Sequence, residues 1–344
     1  MSQNKDVTIY DIADALNLST STVSRALKNH SSISKKTTLK VNEAAAKMQY
    51  TPNILASSLR NNKTNTIGVL ISRINRPFMS DLISGIEVVA QKAGFNVIIA
   101  QSHDSYEDEV NMCQALYNSR VSGVICSLAM ETKDTDHFDQ FRNKNIPLVF
   151  VDRVPKTFTT YRVMIDNYSA GFKAAQHLIE QGYTRIAHIA GLKFRSIYNE
   201  REQGYRDALK KYNLPEEDNL IIHVKTMSYE EGEKAVNKLL SLENPPDAIF
   251  SSNDTTAVAA IQVAKSRGLR IPEDFGVIGF NNDPISRIID PGLSTISHPA
   301  YEMGKISSKK ILKHLKKSKN ESITEISFLN TDVIIRGSSK RLKD

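Results

Sequence analysis

The sequence predicts an all-α helix-turn-helix headpiece followed by an α/β body of two parallel-sheet lobes. Three observations carry that fold class. The residues up to Tyr50 hold three short amphipathic helical patterns joined by tight turns. From Thr66 onward, apolar strand patterns alternate with amphipathic helical stretches, the rhythm of parallel sheets covered by helices. The alternation yields roughly nine strands, more than one open sheet holds comfortably, so two lobes are expected.

The headpiece follows from its own residues. Thr8 with Asp11 three positions on makes a capping-box pattern. Ile9, Ile12, Ala13 and Leu16 recur at helical spacing as one buried stripe. Asn17-Leu18 makes the turn, and Ser19 is the next N-cap. Val23, Ala26 and Leu27 then face the first helix, which leaves Thr20, Ser21, Ser24, Arg25 and Lys28 on the opposite face. Arginine reads guanine edges in the major groove, and short hydroxyl side chains contact either base edges or the thymine methyl. A third helix spans about Ser34 to Met48, with Val41, Ala44, Ala45 and Met48 as its stripe. A three-helix module that binds protein is the plain alternative, and charge argues against it. Residues 1–63 hold nine Lys/Arg against four acids, a net +5 of the chain's +7. A basic headpiece suits a phosphate backbone.

Thr51-Pro52-Asn53 ends the third helix, because proline disfavours helix in the residue before it. Residues 53–60 are long enough for two helical turns, marginal in isolation, and Asn61–Asn65 reads as a polar linker. Strands are expected at 67–71, 96–100, 123–128, 148–151, 163–165, 186–190, 221–224, 248–252 and 276–280. Helical stretches lie between them, for example 78–93 and 170–180. Segments from Ile296 to Arg336 are expected to cross back between lobes. The division is then a headpiece at 1–50, a hinge helix and linker at 51–65, and a large domain at 66–340. Its first lobe takes about 66–165 plus 297–325, and its second about 166–296 plus 326–340.

At 344 residues, 40% hydrophobic and 24% charged, the composition is that of an ordinary globular protein. No apolar run follows the N-terminal basic residue, so no secretory signal is expected. No stretch approaches a membrane span, and the expected location is cytoplasmic. Cys113 falls in a helical pattern and Cys126 in a strand pattern, both read as buried thiols of a reducing compartment. The eight histidines show no ligand spacing, so no metal site is expected. No G-x-G-x-x-G, P-loop or nucleophile elbow occurs. Neither catalytic residues nor a cofactor is expected, and the chain is not read as an enzyme.

Particular segments resemble the LacI/GalR family of bacterial transcription regulators over nearly the full length. They are 7–13, 19–25, Tyr50-Thr51-Pro52-Asn53 with Ala56 and Leu59, 67–69, 163–167, Gly182-Tyr183, 252–254 and 277–280. The resemblance implies a periplasmic-binding-protein-like effector domain, and a homodimer on a near-palindromic operator in double-stranded DNA. It also implies a small molecule held between the lobes, and most simply a repressor. Carried over by position, Thr20, Ser21 and Arg25 are the main base readers, with Thr8, Ser19, Thr22, Ser24 and Lys28 beside them. Asn53, Ala56 and Leu59 belong to the hinge, where Leu59 would wedge into the minor groove and kink the duplex. Ligand would change the angle between lobes, and the hinge helices would pair or separate in response. Thr38 stands where the family often has arginine, which leaves a phosphate contact to Lys35, Lys36 or Lys40.

The positions that match the family's effector cleft are Phe78, Asp152, Arg153, Arg201, Asn253 and Asn281, with Phe194 and Tyr198 as further aromatic candidates. Open α/β sheets bind ligands at such strand ends. Each has a plain alternative: Phe78 as core, Arg201 on a solvated helix start, Asp152-Arg153 as a local ion pair. Relatives commonly place aspartate at Asn281. The groups suit hydroxyls, so a sugar or sugar derivative leads. A nucleobase between Phe78 and Tyr198, or a protein co-effector, is the alternative. A sugar-binding transport protein is disfavoured by the missing signal and by the headpiece.

Overall fold

A computed structural model describes residues 7–50, 64–155, 157–193, 196–316 and 324–341. The chain divides into two units, Met1–Thr64 and Asn65–Asp344. In the first unit, α1 (Ile9–Leu16), α2 (Thr20–Leu27) and α3 (Lys35–Lys47) surround one small core. Ile12, Ala13, Val23, Ala26, Val41 and Ala45 are buried there, with Ala44 and Met48 partly buried at its edge. The Thr8 N–H and hydroxyl both donate to Asp11 Oδ2, at 2.7 and 2.6 Å. Asn17 takes a left-handed conformation, φ 52°, which asparagine tolerates, and this turns α1 into α2. Ser19 Oγ accepts the Thr22 N–H at 3.2 Å, and Ser34 Oγ accepts the Thr37 N–H at 3.1 Å. Each cap satisfies a first-turn donor that the helix itself leaves unpaired.

The second unit holds two six-stranded sheets. The first contains β1 (Thr66–Ile71), β2 (Asn96–Gln101), β3 (Gly123–Cys126), β4 (Leu148–Val151), β5 (Tyr161–Ile165) and β11 (Glu325–Leu329). Its order is β11-β5-β4-β3-β1-β2 and every pairing is parallel. The second contains β6 (Ile186–Ala190), β7 (Ile221–His223), β8 (Ala248–Ser251), β9 (Gly276–Asn281), β10 (Ser294–Ser297) and β12 (Val333–Ile334). Its order is β12-β10-β9-β8-β6-β7, with only β12 antiparallel. Central strands such as β3, β4, β6 and β8 are buried throughout, as sheets covered on both faces require.

Helices α4 (Pro77–Lys92), α5 (Tyr106–Asn118), α6 (Asp139–Asn143), α7 (Asn167–Glu180), α8 (Ser196–Lys211), α9 (Tyr229–Leu240), α10 (Asp254–Ser266), α11 (Ile285–Ile288) and α12 (Ala300–Leu315) cover these sheets. The chain crosses between lobes three times, after β5, after β10 and after β11. The last crossing corrects the expected boundary. β11 pairs with β5 from Glu325 to Leu329, so the chain leaves the first lobe after Leu329 rather than at 325–326. Cys113 and Cys126 are buried free thiols, and burial pushes Cys113 up to about 12. Among the described residues no helix is long and apolar enough to cross a membrane.

Candidate functional site

Helix α2 presents the polar face that its sequence implies. Ser21, Arg25 and Lys28 are exposed, and Thr20, Thr22 and Ser24 are half-buried. Ser19 Oγ lies 2.9 Å from Ser21 Oγ and 2.8 Å from Thr22 Oγ1, a hydroxyl cluster at the helix start. A helix start favours anions because its first amides point outward. Thr8 is already bonded to Asp11, so its part is chiefly to shape α1. Tyr10 is 67% exposed. Asn53, Ala56 and Leu59 lie outside the described residues, as does Phe194.

In the second unit the lobes enclose a cleft of about 1050 Å³. Phe78, Asp152, Arg153, Tyr198, Arg201, Asn253 and Asn281 all line it. Arg201 is its anchor. Glycine lets α7 and α8 touch there: a Cβ on Gly171 would lie 2.2 Å from the Arg201 carbonyl oxygen, and one on Gly204 would lie 2.1 Å from that of Tyr168. That approach lets Arg201 Nε donate to Asn167 Oδ1 at 2.9 Å while Nη1 donates to the Ser252 carbonyl at 3.1 Å. The guanidinium stacks 3.5 Å above the Phe280 ring. Nη2 has no hydrogen bond among the described residues. The side chain is 3% exposed, and burial pushes its pKa down to about 10. It is no solvated helix residue.

Asp152 follows β4 in a left-handed conformation, φ 62°. Burial raises its carboxyl above the ordinary value, against the pull of Arg153 and Arg201. It does not pair with Arg153, which donates instead to Asp104 and to the Leu128 carbonyl. Asp152 Oδ1 lies 3.7 Å from His298 Nε2. His298 sits on the second crossing between lobes and was missed in the sequence. Its ring packs on Phe78 with centroids 4.1 Å apart, and Nδ1 lies 3.2 Å from Asn281 Oδ1. Nε2 is buried without a hydrogen bond, and burial, with Arg201 nearby, lowers its pKa well below the usual histidine value. The imidazole is therefore neutral.

Asn253 reaches the cleft but is already occupied. Its Oδ1 accepts the Thr256 N–H at 2.9 Å, capping α10, and its Nδ2 donates to the Met227 carbonyl at 2.9 Å. Asn253 therefore supports the wall of the cleft, whereas Arg153 keeps its Nε buried without a hydrogen bond. Cleft-lining polar groups without a hydrogen bond among the described residues include Arg201 Nη2, the Asp152 carboxyl, Arg153 Nε, Ser252 Oγ and His298 Nε2. Phe78 and Tyr198 form the apolar surface; a Cβ on Gly191 would lie 2.4 Å from the Tyr198 ring, so glycine seats that ring. The lobes also touch across the cleft. Met130 of the first packs in the second lobe's core with Ile197 and Tyr198, and Arg76 Nη2 donates to the Thr226 carbonyl at 3.5 Å.

Comparison with known proteins places both units. Residues 8–53 match the family described as bacterial regulatory proteins, lacI family. Residues 64–331 match periplasmic binding proteins and sugar binding domain of LacI family. The HTH-type transcriptional regulator DegA of Bacillus subtilis is 35% identical over 298 residues, 86% of this chain and 88% of that protein. The HTH-type transcriptional repressor CytR of Escherichia coli is 32% identical over 341 residues, 99% of this chain and 98% of that protein. A solved complex of the transcriptional regulator CelR with cellobiose superposes with a TM-score of 0.71 at 26% identity, covering 96% of this chain and 99% of that one. The lac repressor dimer bound to operator and the anti-inducer ONPF shares the fold, with a TM-score of 0.86 at 24% identity over 98% of this chain and 100% of that one.

Proposed function

The chain belongs to the LacI family of bacterial regulatory proteins and is a DNA-binding transcription regulator, and from that premise we propose that it is a homodimeric repressor. It binds a near-palindromic operator and takes a small polyhydroxylated effector, a sugar or sugar derivative, between its lobes. The observation that carries this reading is the junction of Arg201, Asp152, Asn281 and His298 on one cleft floor beside Phe78. Polar groups fix hydroxyls in number and direction, and an aromatic face covers the apolar side of a ring. A nucleobase between Phe78 and Tyr198 is the alternative, and compounds of both kinds belong in the test. The setting is cytoplasmic, in keeping with two buried free thiols.

On the DNA side, Thr20, Ser21 and Arg25 read bases, Lys28 and the hydroxyls near Ser19 position the helix on phosphates, and the Asn53–Leu59 hinge enters the minor groove. Ligand acts by favouring one lobe angle, which makes or breaks cross-cleft contacts such as Met130 with Tyr198. Operator selection from random duplex DNA, followed by titration with and without compounds that raise the thermal midpoint, tests the whole reading. A two-fold symmetric site and a shift in operator affinity of roughly 5–150-fold are expected. A site without symmetry, or an affinity that no stabilising compound moves, refutes it.

A further inference from the structure

The charged groups at the mouth of the cleft divide unequally. Its acids are held by the protein. Asp104 is bonded to Arg153. Glu131 Oε2 accepts the Tyr106 N–H at 3.2 Å, and Asp134 Oδ1 accepts the Tyr106 hydroxyl at 2.8 Å. Asp283 is buried beside Asn281, its pKa pushed up to about 6 by burial, and Asp152 lies below them on the cleft floor, 3.7 Å from the neutral His298. Among the cations, Arg153 and Arg201 are held by the protein as well, but four others are not. Arg73, Arg76, Lys133 and Lys225 line the same cleft, and none enters an ion pair among the described residues. Arg73 Nη2 donates only to the His103 carbonyl at 3.1 Å. Arg76 reaches across the cleft to the Thr226 carbonyl, which brings a first-lobe guanidinium beside the segment that carries Lys225. Asp283 lies within electrostatic reach of Arg76 and of Asp81, and no ion pair joins it to Arg76 among the described residues.

Like charges that face each other from two lobes oppose closure, and an anion between them reverses the sign. Half-buried arginines are suited to this, since a guanidinium meets phosphate or carboxylate with two parallel hydrogen bonds. We propose that the effector carries an anionic group, a phosphate or a carboxylate on a sugar-sized body, clasped at the mouth by Arg73 and Arg76 of the first lobe and Lys225 of the second. The inference rests on the cleft being the effector site.

Calorimetry on the full-length protein at fixed ionic strength, with matched probes, tests it. The pairs are glucose with glucose 6-phosphate and galactose with galacturonate, with inorganic phosphate as a separate arm. At least one anionic probe is expected to bind about tenfold or more tightly than its neutral twin, and the preference should shrink as salt is added. The winning pair identifies phosphate or carboxylate. In Lys225→Gln and in Arg73→Gln the anionic-to-neutral affinity ratio should fall about tenfold. Neutral twins that bind as well, no binding by any anionic probe, or a ratio unchanged in both variants overturns the inference. Arg201→Ala separates the two readings. If it abolishes binding of neutral sugars that show no anionic rival, the cleft stands and the clasp falls. If an anionic probe binds undiminished in Arg201→Ala, the cleft reading falls and takes the clasp with it.

Discussion

The headpiece and the cleft use polar side chains in opposite ways. On α2, Ser21 and Arg25 stand exposed and Thr20, Thr22 and Ser24 half-buried over a core of only six buried side chains. In the cleft, Arg201, Asp152 and His298 are buried and held by Asn167, Ser252 and the aromatic rings of Phe78 and Phe280. The hydroxyls at the start of α2 bond to one another and to the Thr22 amide, all within its first turn. A pocket that must tell one small molecule from another fixes its donors beforehand, and draws them from loops far apart in the chain. The first design is cheap in stability and local in sequence. The second is stabilised by burial and depends on the whole fold.

The largest expected effect tests the buried side of that contrast. Beneath the cleft, Asp254 accepts the Asp283 N–H at 2.6 Å and the Thr295 hydroxyl at 2.7 Å, yet burial pushes its carboxyl from 3.8 up to about 8. The folded protein keeps this proton where the unfolded chain has released it. This group's contribution to stability is therefore fully present below pH 3.8 and is lost as pH rises toward about 8, with a slope of up to about 1.4 kcal/mol per pH unit. Thermal melts across that window should show the decline, and Asp254→Asn should flatten it. A wild-type slope that persists in the variant places the proton elsewhere.

Next in size, Arg201→Ala should destabilise the second unit by about 3 kcal/mol in urea titrations, because Asn167 and Ser252 lose a buried charged donor. If stability is unchanged, the site is solvated and the contrast with the headpiece collapses. Arg25→Ala should leave headpiece stability alone but weaken specific operator binding by about 2 kcal/mol per half-site, read by fluorescence anisotropy. Equal losses on specific and random DNA would make Arg25 a phosphate contact instead. Smallest, Ser19→Ala should lower the headpiece unfolding free energy by about 1 kcal/mol through loss of the cap. No change would mean that the Thr22 amide finds another acceptor.

These two regions also differ in how far the sequence reveals them. All three headpiece helices, the Thr8 and Ser19 caps and the Asn17 turn follow from periodicity and capping chemistry, because those signals act over four residues. In the body, strands β1 to β9 fall within two residues of their expected positions, since buried parallel strands are plain apolar runs. The later strands escaped. β10 is built from Ser294 and Thr295, which are fully buried but read as loop, and β11 is a largely exposed edge. The cleft candidates came from resemblance, and the fold brings the described ones together. Periodicity could not have found them, nor could it separate Arg201, which presents a free nitrogen, from Asn253, which caps a helix. His298 was invisible because Ser297-His298-Pro299 carries no local pattern. It matters only because that tripeptide is where the chain passes from one lobe to the other.

The three crossings have a consequence for how the protein is made. The ribosome delivers β1 to β5 first, then β6 to β10, but the first sheet lacks an edge strand and the helix α12 until after the second is nearly complete. β11 and β12 close the two sheets in turn, and Ser338 then bonds back to Val277 and Ser294. Neither lobe can finish folding on the growing chain before Glu325 has emerged. A nonsense codon late in the gene would therefore cripple both lobes together, while leaving an intact headpiece already synthesised.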